Sequence, residues 1–284
     1  MISIGTAPGT ELHPNEDWVG ATSDVIVVLD GLSAPQGVGG CRHGTPWYVT
    51  RLGTRLLMHA TEQARLRDAL AISIADVAAL HGSACDLQHP GTPSSTVAMA
   101  RRHGGELEAL VLADSSVLVE TDSGVDVMTD TRVGDIARGA QEAALSAPLG
   151  VARDQRIAEL VSEQRRWRNT PNGYWIAQSD PVAADQALTQ KWTIDRVSRV
   201  AVMTDGASRL ADTYEMRSWS TLLDLLSEQG PAGVIDETRK FESDDPDGTR
   251  WPRYKSRDDI AIAFWDFRSP QQSAAGEARV DRYN

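Results

Sequence analysis

Three apolar runs in this chain end on an aspartate: VIVVLD at Asp30, LVLAD at Asp114 and VAVMTD at Asp205. A further acidic pair, Asp258-Asp259, stands just before the run IAIAF, and Glu16-Asp17 lies in the loop after the first apolar segment. Strands that pair in one core bring their ends together, so several of these anions would share one place. Two like charges 4 Å apart repel by ~4 kcal/mol at an effective dielectric of ~20. Protonation, basic partners or a metal must offset that. Basic neighbours in the sequence are few, although Arg257 adjoins Asp258. Hard divalent cations with all-oxygen ligands are the natural solution, Mn²⁺ or Mg²⁺ ahead of zinc. For any one of these aspartates a turn or a cap is the simpler reading, because Asp-Gly is a common hairpin turn. The joint pattern of strand-end acids is what points to chemistry.

The elements that must position these acids can be read from periodicity. Ile2–Ala7 reads as an edge strand, and Val25–Leu29 as a strand buried on both faces. A Gly-rich loop, 31–44, leads to two helices. Val49, Leu52, Leu56 and Ala60 recur at helical spacing in the first, and Leu66, Leu70, Ile74 and Val77 in the second. After a Pro/Gly/Ser loop at 88–95, strands are expected at 96–101, 108–113 and 117–120, with Gly104-Gly105 as a hairpin turn. Val125–Thr129 is a possible fourth, residues 133–168 are mostly helical, and Asn169–Gly173 is a turn. Arg199–Thr204 is another buried strand. Met216, Trp219, Leu223 and Leu226 mark a helix that stops at Gly230, where Pro231 opens the next, marked by Val234, Thr238 and Phe241. A polar loop at 241–259 precedes the last strand, Ile260–Trp265. Strands and helices come in blocks, which argues for α+β layers with helices outside.

Composition narrows the rest. The chain has 284 residues with 40 acidic and 28 basic, a formal charge of −12 that disfavours nonspecific binding to DNA or an anionic membrane. No apolar run approaches the ~20 residues of a membrane span. The N-terminus has no basic segment followed by an apolar block, so the expected location is the cytosol. Cys41 and Cys85 form no C-x-x-C pair, so a zinc knuckle or thioredoxin-like site has no support, and in a cytosolic chain two reduced thiols are expected, at least one of them interior. The six histidines are scattered, and any metal is expected on carboxylates.

Taken in order, the acidic motifs resemble those of the metal-dependent type 2C protein serine/threonine phosphatases. Asn15-Glu16-Asp17 resembles the first motif and Val28-Leu29-Asp30-Gly31 the second. Ser94-Ser95-Thr96 is similar to the Gly-Ser-Thr motif, and Ala113-Asp114-Ser115-Ser116 to Gly-Asp-Ser-Arg. Met203-Thr204-Asp205-Gly206 is similar to Ser-Asp-Gly, and Asp258-Asp259-Ile260 to the closing Asp-Asn. Each is short, but six in order span residues 15 to about 266. The resemblance implies an α+β fold, a central antiparallel β-sandwich flanked by helices in four layers (α-β-β-α). That catalytic domain would occupy residues 1–268, followed by a polar tail at 269–284.

The resemblance also implies a binuclear Mn²⁺/Mg²⁺ centre, a metal-activated water and direct attack on a phosphomonoester, without a phosphoenzyme. Asp30 would bridge the metals and Gly31 would offer its carbonyl. Asp205 and Asp258 would hold the second ion, and Glu16 and Asp17 would act through metal-bound waters. Asp17, Asp30, Asp205 and Asp258 form the implied catalytic set, and Asp114 is a candidate for a third ion. Thr96 is expected to be structural. The substrate would be a phosphorylated protein, in a signalling role.

The chain also departs from the pattern. The family's phosphate-clamping arginine falls at Leu12, with His13 beside it as a partial substitute. The arginine of Gly-Asp-Ser-Arg is Ser116, its glycine is Ala113, and the final asparagine is Asp259. Losing a bidentate phosphate donor weakens ground-state binding. Arg165 and Arg166, in a segment that resembles the family's variable flap, are further candidates to receive phosphate, although a solvated helix end explains them as simply. An active phosphatase with altered substrate handling is the favoured expectation. A catalytically weak metal- or phosphoprotein-binding module is the alternative, and a phosphatase for small metabolites is a third reading.

Overall fold

The computed structural model describes residues 1–32, 39–148 and 150–268. The expected polar tail lies outside them, as do Leu149 and residues 33–38 of the Gly-rich loop. Two five-stranded antiparallel sheets form the centre. One runs β1 (Ile2–Ala7), β12 (Ile260–Asp266), β11 (Val197–Met203), β8 (Ser116–Thr121), β9 (Gly124–Met128). The other runs β10 (Leu188–Thr193), β7 (Glu106–Leu112), β6 (Val97–His103), β3 (Val25–Leu29), β2 (Trp18–Ala21).

Strand β3 shows why the sheets stack. Its side chains alternate between two apolar environments. Ile26 and Val28 face the other sheet, and with Ala98 of their own sheet and Val117, Val202 and Ala263 of the other they fill the sandwich interior. Val25, Val27 and Leu29 face outward onto helices α1 (Thr45–Glu62) and α2 (Leu66–Leu80). All five are fully buried. The eight residues read at helical spacing in α1 and α2 are buried in the structure. The other sheet is covered likewise by α6 (Asp205–Asp212) and α7 (Trp219–Asp244), through Leu210, Leu222, Leu223 and Leu226. The architecture is therefore the expected four-layer α-β-β-α sandwich.

Several local expectations need correction. The segment after Asp30 does not open as a loop: β4 (Gly31–Leu32) pairs with β5 (Ser94–Ser95). Strands β2 and β10 were not foreseen. Five of the six residues of β10 face solvent and the sixth, Trp192, is half-buried, so it lacks a buried alternating pattern. Met216 precedes α7 and is 40% exposed. The break inside α7 falls at Gly230, whose φ of 69° permits the turn before Pro231. Residues 132–167 form α3 (Arg132–Asp135), α4 (Arg138–Ser146) and α5 (Val151–Trp167). Among the described residues no helix is long and apolar enough to cross a membrane.

Candidate metal centre

Strand register delivers the acids. Trp18 pairs with Leu29 across β2 and β3. The residues flanking that pair, Asp17 and Asp30, therefore leave the sheet on the same side. In the other sheet Met203 pairs with Ile262, and Thr204 continues the ladder by donating its N–H to the Ala261 carbonyl at 3.0 Å. Asp205 follows directly as the first residue of α6, and Asp258 stands two residues ahead of β12. Asp114 lies on the connection from β7 in one sheet to β8 in the other.

These charges feel one another. Burial holds the Asp30 carboxyl well above its ordinary value, with Asp17, Asp205, Asp258 and Asp114 adding repulsion. Burial raises Asp17 in the same way, with Asp258, Asp205 and Asp259 reinforcing it against a hydrogen bond to Thr204. Asp17 is 8% exposed, and its Oδ2 has no hydrogen-bond partner among the described residues. Asp114 is pushed up to about 7 by desolvation and by Asp205. Its side chain is open to solvent, which discounts the burial contribution and leaves the Asp205 charge as the firmer cause.

Asp258 is in the opposite condition. Burial would raise its carboxyl, but Arg209 and Lys255 outweigh that and hold it well below the usual range. Arg209 Nη2 lies 2.6 Å from Asp258 Oδ2 and 3.0 Å from Asp205 Oδ2, and Lys255 Nζ lies 2.9 Å from Asp258 Oδ1. The expectation that basic partners are scarce is thus corrected. Arg257, the neighbour seen in the sequence, turns away to Ser243. Arg209 was missed, although it sits one helical turn after Asp205, a spacing that pairs side chains on a helix.

Asp259 adds to the charge felt by Asp17, but backbone amides claim its oxygens. Its Oδ1 accepts the Gly9 N–H and its Oδ2 the Glu16 N–H, both at 2.7 Å, tying the N-terminal loop to the start of β12. Gly206 meets the same loop so closely that a Cβ would lie 2.0 Å from the Asp259 carbonyl oxygen. Gly31 has no more room: a Cβ there would lie 2.4 Å from the Glu16 carbonyl oxygen and from Thr45. Thr96 is structural as expected. Its Oγ1 accepts the Asp30 N–H at 3.1 Å and meets Ser115 Oγ at 2.6 Å, fixing the backbone beneath the acid.

The remaining candidates are less closely engaged. Glu16 is half-buried beside Gly31. Leu12 and His13 are exposed on the N-terminal loop. Ser116 is 4% exposed at the start of β8. Arg165 is half-buried on α5, where Arg168 and Tyr174 act on its charge, and Arg166 is exposed on the last turn. Tyr254, unremarked in the sequence, is half-buried within the field of Asp114, Arg209 and Asp205.

The donor set fits a hard cation on the Asp17–Asp30 side, where Asp17 Oδ2 is buried without a hydrogen-bond partner among the described residues. On the Asp205–Asp258 side the carboxylates already carry basic partners, which an arriving ion would have to displace. Acids from both sheets thus meet at one end of a helix-flanked double sheet. Residues 10–237 match protein phosphatase 2C, and the chain belongs to that family of metal-dependent protein serine/threonine phosphatases. No curated protein matches the chain significantly.

Solved structures share the fold. The catalytic domain of the phosphatase PstP, in complex with two manganese ions, is 15% identical over 94% of this chain and 97% of its own, with a TM-score of 0.55. The phosphatase MsPP from Mycobacterium smegmatis, in complex with cacodylate, is 16% identical over 94% and 97%, with a TM-score of 0.53. Stp1 from Staphylococcus aureus is 13% identical over 94% and 95%, with a TM-score of 0.56.

Proposed function

We propose that this chain hydrolyses phosphoserine and phosphothreonine monoesters in proteins at a centre of two Mn²⁺ or Mg²⁺ ions. Asp30 would be the shared ligand, with the Gly31 carbonyl beside it and Glu16 and Asp17 acting through ordered waters. Asp205 and Asp258 would complete the second position, and Asp114 is the candidate for a weaker third. When bound, such ions lower the pKa of a water and take up charge on the entering and leaving oxygens.

The chain's own groups prepare that chemistry. Thr96 holds the Asp30 backbone in place. Arg209 and Lys255 keep Asp258 ionised, and Arg239 grips the Asp258 carbonyl at 2.7 Å and the Pro8 carbonyl at 3.0 Å. The observation that carries the reading is the buried Asp17 Oδ2, without a hydrogen-bond partner among the described residues, in the field of a second carboxyl, the half-buried Asp30. A pair of that kind requires a cation or protons. The test is hydrolysis of p-nitrophenyl phosphate and of a phosphothreonine peptide as Mn²⁺ is titrated in. Turnover should depend on the ion and vanish in Asp30→Asn and Asp205→Asn. Activity that survives full chelation overturns the proposal.

A weakly catalytic binding module is the second reading. The ion pairs of Asp258 with Arg209 and Lys255 favour it, because they occupy a carboxylate that the second ion needs. So does the absence of a phosphate donor at Leu12. It predicts Mn²⁺ binding by calorimetry without turnover of any phosphomonoester. Leu12→Arg separates the two: a large rise in activity marks a handicapped enzyme, and no change marks the binder. Comparing phosphopeptides with small phosphorylated metabolites then defines the substrate class.

A further inference from the structure

A second cluster of metal-type donors lies on the loops beside the acidic centre. Cys41 and His43 precede α1, and Cys85 follows the short helical turn Gly82–Ala84. The two cysteines are 44 residues apart in sequence, yet their Sγ atoms stand 3.5 Å apart. The His43 Nδ1 lies 3.4 Å from Cys41 Sγ and 3.5 Å from Cys85 Sγ. Both cysteines are free thiols and half-buried, so the expectation of an interior thiol is corrected. So is the expectation that only carboxylates could hold a metal.

These separations match a tetrahedral ion. Bonds of about 2.3 Å to sulfur and about 2.05 Å to nitrogen place two sulfurs about 3.8 Å apart and sulfur and nitrogen about 3.6 Å apart. A covalent disulfide would need sulfurs about 2.05 Å apart. The three ligand atoms lie within 4.8 Å of one another. Two thiols and an imidazole select a soft or borderline ion, zinc above all, and discriminate against Mn²⁺ and Mg²⁺.

The surroundings hold these donors in place. The His43 backbone N–H donates to Cys41 Sγ at 3.2 Å, a contact that favours the thiolate a metal needs. The His43 ring stacks on Trp47 with centroids 4.2 Å apart. The two loops are joined by the Asp86 N–H donating to the Gly40 carbonyl at 2.7 Å. They approach so closely that a Cβ on Gly40 would lie 2.3 Å from the Asp86 carbonyl oxygen. Glycine is required next to Cys41 for Cys85 to come within reach.

His81 lines the same pocket, its ring 5.4 Å from that of His43 and 4.8 Å from that of Trp47. Its Nδ1 faces the Val77 carbonyl at 2.9 Å, and a carbonyl only accepts, so Nδ1 carries the proton. The buried Nε2 is left with a lone pair and no partner among the described residues. It stands outside the group of three, which leaves a fourth coordination position open.

We propose that Cys41, His43 and Cys85 form a zinc-type site, separate in donor chemistry from the carboxylate centre. It clips together residues 40–43, ahead of α1, and residues 85–86, ahead of β5. Strand β5 pairs with β4 directly next to Asp30. Binding converts both thiols to thiolates, releases their two protons and leaves an electrically neutral zinc–dithiolate unit.

The test uses the full chain, freshly reduced, with cobalt(II) as a spectroscopic probe and zinc as competitor. One cobalt per chain should give thiolate-to-metal charge-transfer absorption in the near ultraviolet, and zinc should bleach it. Asp30→Asn should keep the band, because carboxylate-bound cobalt does not produce it. Cys41→Ser and Cys85→Ser should each weaken zinc affinity by about 100-fold or more, beyond the 10–100-fold typical of supporting residues. In wild-type protein, zinc should protect both cysteines from alkylation, which tests the site even if a variant misfolds.

Absence of the charge-transfer band in reduced protein overturns the proposal. So does a band indifferent to Cys41→Ser, or a Cys41–Cys85 disulfide recovered in place of bound zinc. No readout depends on phosphate hydrolysis, so failure here leaves the phosphatase reading standing, and the reverse also holds.

Discussion

Asp17 and Asp30 leave the β2–β3 sheet crowded and, among the described residues, without a salt bridge, whereas Asp205 and Asp258 leave the β11–β12 sheet with Arg209 and Lys255 already attached. The acids are of one type and meet at one end of one sandwich. What separates the two sides is who neutralises them. The first side must recruit a cation or keep protons, and the second can wait in an internal ion pair. Two ions bound there should therefore have unequal affinities, the weaker one having to displace a guanidinium.

The largest effect should come from the unpaired side. Asp30→Asn is expected to lower phosphomonoester turnover by about 1,000-fold, as loss of several kcal/mol of charge stabilisation implies. The same change should raise the melting temperature of the metal-free protein, since it removes a repelling charge. A fall in that temperature would break the comparison. Asp258→Asn should do the opposite to the fold. It leaves the Arg209 guanidinium, 7% exposed, short of a partner, at a cost of about 3 kcal/mol read by denaturant unfolding.

The pH dependence sharpens the contrast. Asp17 and Asp30 have raised carboxyls, so the folded state binds more protons than the unfolded chain above about pH 4. Stability of the metal-free protein should then fall as pH rises from there, with Asp114 contributing up to about pH 7. Asp258 is lowered, so its contribution is present above about pH 4 and lost as pH drops below. Saturating Mn²⁺ should flatten the decline above pH 4, which melting curves with and without chelator will show. Arg209→Met should raise the affinity for the second Mn²⁺ by about tenfold in a calorimetric titration, the equivalent of one unit of charge-driven shift.

The smallest effect lies at the buried turn between β7 and β8. Ala113 holds a φ of 67°, the left-handed region, at the position where the family's motif has glycine. Ala113→Gly should stabilise the fold by about 0.5–1 kcal/mol, the relief of a strained Cβ less the added freedom of the unfolded chain.

The sandwich and the positions of Asp30 and Asp205 were legible because buried strands are written as unbroken apolar runs, and a charge at the end of such a run stands out. The eight core residues of α1 and α2 were legible for the same reason at a different period. Arg209 was hidden because half of its role is a contact with Asp258, 49 residues away. Asp259 looked like one more metal-facing acid because nothing local reveals that two backbone amides claim its oxygens. The Cys41–His43–Cys85 group had no local spacing to announce it, since the two loops meet only after β4 and β5 pair. Strand β10 carries too few buried residues to leave a periodic mark.

Strand β12 lies between β1 and β11, and the Met1 amino group reaches the Asp266 carbonyl at 2.6 Å. Among the described strands β1 therefore pairs only with β12, more than 250 residues later in the sequence. During synthesis β1 must wait, unpaired, until β12 has emerged from the ribosome. Only then can Asp258 join Asp17, so any ion that needs both acids can bind only after the β12 segment is made.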